Sequence, residues 1–143
     1  MYFGELEKGM SMKLAPVTIS KEEMLAFSGK YADVPVHTDE EYAKTTSFGQ
    51  LLAPGMLSFL KVWAEYLKND LFGEQLLAGR SQSIEWYKPV FAGDVLTATV
   101  TVTELTDRSP KNGIAELTIE AFNGKGELVL KGVTEAIIKK KLT

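Results

Sequence analysis

Between Leu96 and Ala121 the chain states one rule twice. Leu96, Ala98, Val100 and Val102 alternate with Thr97, Thr99, Thr101 and Thr103, and Ala115, Leu117, Ile119 and Ala121 alternate with Glu116, Thr118 and Glu120. A period of two puts successive side chains on opposite faces of a strand, so each run buries one face and leaves the other more polar. No helix fits that spacing. Lys111-Asn112-Gly113 and Asn123-Gly124-Lys125-Gly126 are turn signals, predicting antiparallel hairpins that end with a strand from Glu127 to Lys139. Ser81 to Lys88 supplies a further strand before Pro89, and Lys13 to Ile19 a short one near the start.

The helices announce themselves differently. Ser20-Lys21-Glu22-Glu23 has the form of a capping box and predicts a helix from Lys21 to about Gly29. Thr38-Asp39-Glu40-Glu41 repeats the box and opens a second short helix through Ala43 to Thr45, which leaves His37 on a loop just before an N-cap. From Gly55 to Asn69 the polar residues Ser58, Lys61, Glu65 and Lys68 fall three or four apart, a narrow stripe on an otherwise apolar cylinder. Such a helix should be wrapped on most sides. Together the elements predict an α+β fold, one domain over residues 1–143, with an antiparallel sheet curled around a long, mostly buried helix.

Composition narrows the setting. At 143 residues, with 45% hydrophobic and 24% charged, the chain suits a single core. It has no cysteine and one histidine, so neither a disulfide framework nor a zinc site is expected, and the expected compartment is the cytoplasm. Met1 to Met10 contains Glu5 and Glu7 and no apolar run, which does not read as a signal peptide, and no later stretch reads as a membrane span. A net charge of −3 argues against a nucleic-acid partner, and Lys139-Lys140-Lys141 reads as a solvated tail rather than a contact to ligand phosphates. Gly124-Lys125-Gly126 has no following helix, so it is a hairpin turn and not a nucleotide-binding loop.

His37 is the one side chain that titrates near neutrality, which makes it the first candidate for acid–base chemistry. Taken alone, a histidine beside Thr38-Asp39 is more readily a loop hydrogen bonder than a catalyst. The wider pattern changes that. Ser28-Gly29, the run Asp33-Val34-Pro35-Val36-His37-Thr38-Asp39-Glu40-Glu41-Tyr42-Ala43, Phe48-Gly49 and Ala53-Pro54-Gly55-Met56-Leu57 resemble the MaoC-like hydratases, the (R)-specific enoyl-CoA hydratases of the hot dog fold. Tyr87-Lys88-Pro89-Val90-Phe91-Ala92-Gly93-Asp94 is similar to a further segment of that group. The resemblance runs from about Val17 to the C-terminus. It implies a hot dog fold, a homodimer or larger homo-oligomer, and a coenzyme A or acyl-carrier thioester as substrate, with no cofactor beyond the coenzyme A that the substrate carries.

Two positions depart from the family. Its catalytic Asp usually lies five residues before the His, with Asn-Pro between them; here the fifth residue back is Ala32 and Asp33 is four back. Either the loop is one residue shorter and Asp33 does the same work, or the Asp role is lost. The family also commonly carries His before the helix-opening Gly, where this chain has Pro54, a residue suited to a first helical turn.

Adding water across a 2-enoyl thioester needs a base for the water that attacks C3, an acid for C2 and a donor for the enolate oxygen. Asp33 and His37 are the candidate acid–base pair, and the amide of Gly55, at the positive end of the long helix, is the candidate oxyanion donor. Each has a plainer reading: Asp33 before Pro35 as a turn former, Gly55 as a helix start, although nothing local in the sequence demands glycine there. Met56, Phe59, Leu60, Trp63, Ile84 and Trp86 read as core, Ser58 as part of the polar stripe rather than a nucleophile, and Lys88 and Arg80 as a solvated strand edge ahead of a coenzyme A phosphate contact. Three activities stay open: a hydratase or dehydratase, which leads; an acyl-CoA thioesterase; and a noncatalytic acyl-thioester-binding subunit.

Overall fold

The computed structural model describes residues 1–142. The first two strands, β1 (Ser11–Lys13) and β2 (Val17–Thr18), stand where one strand from Lys13 to Ile19 was expected. Pro16 lies in the break, where its missing N–H cannot join a ladder. Helix α1 (Lys21–Tyr31) begins at the predicted Ser20 cap, whose hydroxyl accepts from the Glu23 amide at 3.1 Å, and runs two residues further than expected. A one-turn helix, α2 (Pro35–Thr38), follows, then α3 (Glu40–Thr45), capped by Asp39 accepting from the Tyr42 amide at 3.1 Å. Thr38, half of the second predicted box, instead gives its hydroxyl proton to the Val34 carbonyl at 3.1 Å. His37 therefore sits in a helical turn, not on a loop.

The long helix α4 (Gly55–Lys68) matches its predicted bounds to a residue at the C-terminal end, and Pro54 is its N-cap rather than its first helical residue. Four long strands complete the chain: β3 (Leu76–Trp86), β4 (Val95–Asp107), β5 (Asn112–Phe122) and β6 (Leu128–Lys139). All pair antiparallel in the order β1-β4-β5-β6-β3, with β2 also against β4. The alternation that opens the sequence is borne out: Leu96, Ala98, Val100 and Val102 are buried, as are Ala115, Leu117, Ile119 and Ala121. Strand β3 begins five residues before the expected start at Ser81, because it is an edge exposed along almost its whole length and carries no alternation to read.

Helix α4 lies on the sheet with Leu57, Ser58, Phe59, Val62 and Tyr66 buried. Each large apolar side chain so covered is worth about 1.5–3 kcal/mol. Phe59 seats on Gly132 of β6, where an added Cβ would come within 2.8 Å of its ring. That contact is why an otherwise β-unfavourable glycine stands mid-strand. Sheet, central helix and connectivity make this a hot dog fold. Two details of the helix differ from expectation. Ser58 is 1% exposed, so it belongs to the buried side and not to the polar stripe. Met56 and Leu60, expected inside, are 40–45% exposed along the opposite side, and Leu67 is 50% exposed with them. Spacing sorts polar from apolar positions, but it cannot tell core from an apolar face left open.

Candidate active site

The site grows from one short segment. Between α3 and α4, residues 51–54 are pinned on both sides: the Leu52 amide donates to the Val36 carbonyl at 3.0 Å and the Ala53 amide to the Val90 carbonyl at 2.8 Å. The segment thus ties α2 to Val90 and Phe91 in the stretch after β3, with an isolated bridge from Leu52 to Phe91, and leads directly into α4. From it the Leu52 carbonyl reaches Nδ1 of His37 at 2.6 Å. A carbonyl only accepts, so Nδ1 must carry the proton and Nε2 of the neutral ring is left as the acceptor. The half-buried imidazole is oriented by backbone alone.

His37 lines a cavity of about 950 Å³. One wall is α1 and its end (Phe27, Tyr31, Ala32), a second is the approach to and first turns of α4 (Leu52 to Met56, Ser58, Leu60), and a third is the end of β3 with the four residues after it (Trp86 to Val90). The volume and the apolar walls with a few polar groups are those of a small-molecule site. Met56, Leu60 and Trp86, read from sequence as core, are wall instead. Ile84 and Trp63 are half-buried against the core.

The three expected site residues are placed unequally. His37 and Gly55 line the same cavity. Asp33 is exposed, and it is Ala32, five residues before His37, that reaches the cavity wall. Among the described residues no carboxylate lines the cavity; its titratable groups are Tyr31, His37, Tyr87 and Lys88. The Tyr87 phenol is held above its ordinary pKa by desolvation and by the Glu85 carboxylate, to which its O–H donates a hydrogen bond at 3.2 Å, so it stays neutral near pH 7. Lys88 is paired with Glu127 at 3.5 Å, and Glu127 is held below the usual carboxylate range first by a hydrogen bond from Asn123 and then by that lysine. Arg80 is exposed on the edge strand and outside the cavity.

Gly55 turns out to have a packing reason. A Cβ built on it would lie 2.5 Å from Cε2 and Nε1 of Trp86. The half-exposed indole rests directly on the glycine, a contact between residues far apart in sequence that no local pattern announces. The Gly55 amide itself, in the first turn of α4, makes no hydrogen bond among the described residues. First-turn amides have no intrahelical acceptor, and the helix dipole favours negative charge there. One residue passed over in the sequence stands beside it: Ser58, three positions on and so on the same face, lines the cavity too.

The chain is similar to known proteins along most of its length. The model of the MaoC like domain matches residues 5–121. An (R)-specific enoyl-CoA hydratase of Aeromonas caviae is 35% identical over 139 residues, covering 94% of this chain and 95% of that protein. An (R)-specific enoyl-CoA hydratase of Rhodospirillum rubrum is 41% identical over 105 residues, 73% of this chain and 71% of its own length. A solved structure described as a monoamine oxidase regulatory protein from Archaeoglobus fulgius superimposes with a TM-score of 0.94 at 31% identity, covering 99% of this chain and 96% of the other.

Proposed function

This chain belongs to the MaoC-like domain family, and we propose that it hydrates a 2-enoyl thioester to the (R)-3-hydroxyacyl thioester, or catalyses the reverse dehydration. The observation that carries the reading is the His37 imidazole, fixed in one tautomer on the wall of an apolar cavity that also holds the Gly55 amide. Relatives named as (R)-specific hydratases support it.

In the hydration direction His37 Nε2 takes a proton from water as the water oxygen bonds to C3. The C2–C3 π electrons move toward the thioester carbonyl, whose oxygen gains negative charge and is met by the Gly55 N–H. The imidazolium then delivers its proton to C2, and the carbonyl re-forms. Such acid–base help is typically worth ~10²- to 10⁴-fold, and one oxyanion donor ~10²- to 10³-fold. Asp33 joins His37 only if segment 32–34 turns its carboxylate inward. The reaction takes no cofactor beyond the coenzyme A or carrier of the substrate, and the cytoplasm is the proposed compartment for a chain without cysteine. Among the described residues no helix is long and apolar enough to cross a membrane.

We also propose a homodimer. Met56, Leu60 and Leu67 on α4, with Leu76, Leu77 and Trp86 on the edge strand β3, are large apolar side chains left 40–52% exposed, and β3 is an unpaired sheet edge. A second copy would cover them and close the cavity that Met56, Leu60 and Trp86 line. Light scattering at micromolar concentration should return twice the chain mass; a monomer mass would overturn the assignment.

The lack of a carboxylate on the wall favours one competing reading, a subunit that binds acyl thioesters without turning them over. Crotonyl-CoA separates the two. Loss of the enoyl absorbance without release of free thiol, with an (R)-3-hydroxy product on chiral analysis, is the expected result. Thiol release with the double bond intact would replace hydration by hydrolysis, and neither signal across several chain lengths would leave the binder.

A further inference from the structure

The Ser58 side chain is 1% exposed, and its hydroxyl has no hydrogen-bond partner. Buried polar groups are rarely left so, and each one that is calls for a reason. The acceptor to which a helical serine ordinarily turns is the carbonyl four residues back. Here that is Pro54, whose oxygen already accepts from the amides of Leu57 at 3.0 Å and Ser58 at 3.2 Å. The fold offers this hydroxyl nothing.

What lies beside it is the cavity. Ser58 is on the cavity wall one turn after Gly55, and the Cα–Cβ bonds of a helix tilt toward its N-terminus, so a rotation about χ1 can bring the hydroxyl to the Gly55 turn. Ser28, the other buried hydroxyl without a partner, lies on α1 and does not line the cavity, so the orphan donor at this wall is Ser58. Two donors on one helical face, with no carboxylate on the wall to receive either, describe a place for an acceptor oxygen. We infer that the Ser58 hydroxyl donates to the thioester carbonyl oxygen of the bound substrate, alongside the Gly55 amide. The inference rests on the thioester reading given above. It assigns Ser58 contact with the reacting carbonyl, where sequence alone placed it on a solvated stripe.

A donor kept for a ligand and a donor kept for the fold respond oppositely to removal. Ser58→Ala should leave the melting temperature unchanged or raise it, since an unpaired buried hydroxyl disappears. The same variant should bind butyryl-CoA, which has no double bond to hydrate, about 3- to 10-fold more weakly by calorimetry, the value of one hydrogen bond to an uncharged oxygen. Its kcat/KM for crotonyl-CoA should fall about 10²-fold, because the bond strengthens as the oxygen gains charge. Ser58→Cys, a weaker donor of similar size, should fall between and covers the case in which alanine perturbs the helix. Unchanged butyryl-CoA affinity in both variants, or lowered stability with affinity intact, overturns the inference while hydration by the wild type stands. Weakened butyryl-CoA binding in a protein that never hydrates crotonyl-CoA supports the inference and sinks the hydratase. No butyryl-CoA binding by the wild type overturns both.

Discussion

Gly55→Ala tests whether the glycine serves the indole or the substrate. The new methyl carbon would sit 2.5 Å from Cε2 and Nε1 of Trp86 and 2.9 Å from Cδ2. Carbon atoms rest at about 3.5–4.0 Å, so the ring must withdraw by roughly 1 Å. Trp86 is 45% exposed and sits at the end of an edge strand, so it can withdraw. The cost should therefore lie near the bottom of the ~1–3 kcal/mol range for overpacking, and alanine's better helix propensity, up to ~1 kcal/mol, offsets part of it. For a 143-residue chain, ~1 kcal/mol moves the melting temperature by about 3 °C. Function should suffer far more. A displacement of ~1 Å in a group that shapes the site can cost ~10²-fold in rate, and the methyl also crowds the approach to the amide. The assay is a double-mutant cycle with Trp86→Ala, read by thermal melts and crotonyl-CoA turnover. With the indole gone, the stability cost of Gly55→Ala should vanish while most of the activity loss remains. A stability cost equally large with and without Trp86 would refute the packing argument, and full recovery of activity in the double variant would show that the methyl does not obstruct the substrate. Moving Trp63, the chain's other tryptophan, to phenylalanine isolates the Trp86 emission, which should shift on Gly55→Ala.

Three further outcomes are expected. His37→Ala should lower crotonyl-CoA turnover by at least ~100-fold with the melt unchanged, whereas Asp33→Asn should cost less than about tenfold, because a solvated carboxylate off the wall acts only through screened charge; a hundredfold loss for Asp33→Asn would mean that segment 32–34 turns inward during the reaction. Burial pushes the Tyr66 phenol from 10.0 up to about 12, so the unfolded chain loses that proton first as pH rises. Stability should be fully present below about pH 10, fall through the interval up to about 12, and lose most of that slope in Tyr66→Phe; identical pH profiles would disprove it. Gly132→Ala drives a methyl to within 2.8 Å of Phe59, which is only 3% exposed and cannot yield, so chemical denaturation should register a loss toward the upper end of ~1–3 kcal/mol, larger than for Gly55→Ala.

Much of the fold is legible wherever burial is one-sided. Strands β4 and β5 and the hairpins could be read because their inner and outer residues differ, and α4 because its apolar run is long. Edge strand β3 could not be bounded, since Leu76 to Gly79 have solvent on both faces and no pattern to show. Pro16 is the signal that should have split β1 from β2. At the cavity, motif and helix position point to His37 and Gly55, and both line it, whereas the relation of Asp33 to the cavity depends on how α1 ends, with its C-cap Ala32 on the wall. Met56, Leu60 and Trp86 look like core in a sequence because a cavity wall and a core are built from the same residues. Trp86 on Gly55 is a tertiary contact, beyond any local period.

The bond from His37 Nδ1 to the Leu52 carbonyl separates two properties that are usually inherited together. Residue 52 holds the His37 ring with a backbone atom that every amino acid possesses, and it is also one of the residues that line the cavity. Position 52 is consequently free to drift. Larger or smaller residues there would reshape the cavity without altering the imidazole tautomer, so on the proposed thioester reading acyl-chain preference could diversify among descendants of this chain, or in a directed library, with the histidine held as it is.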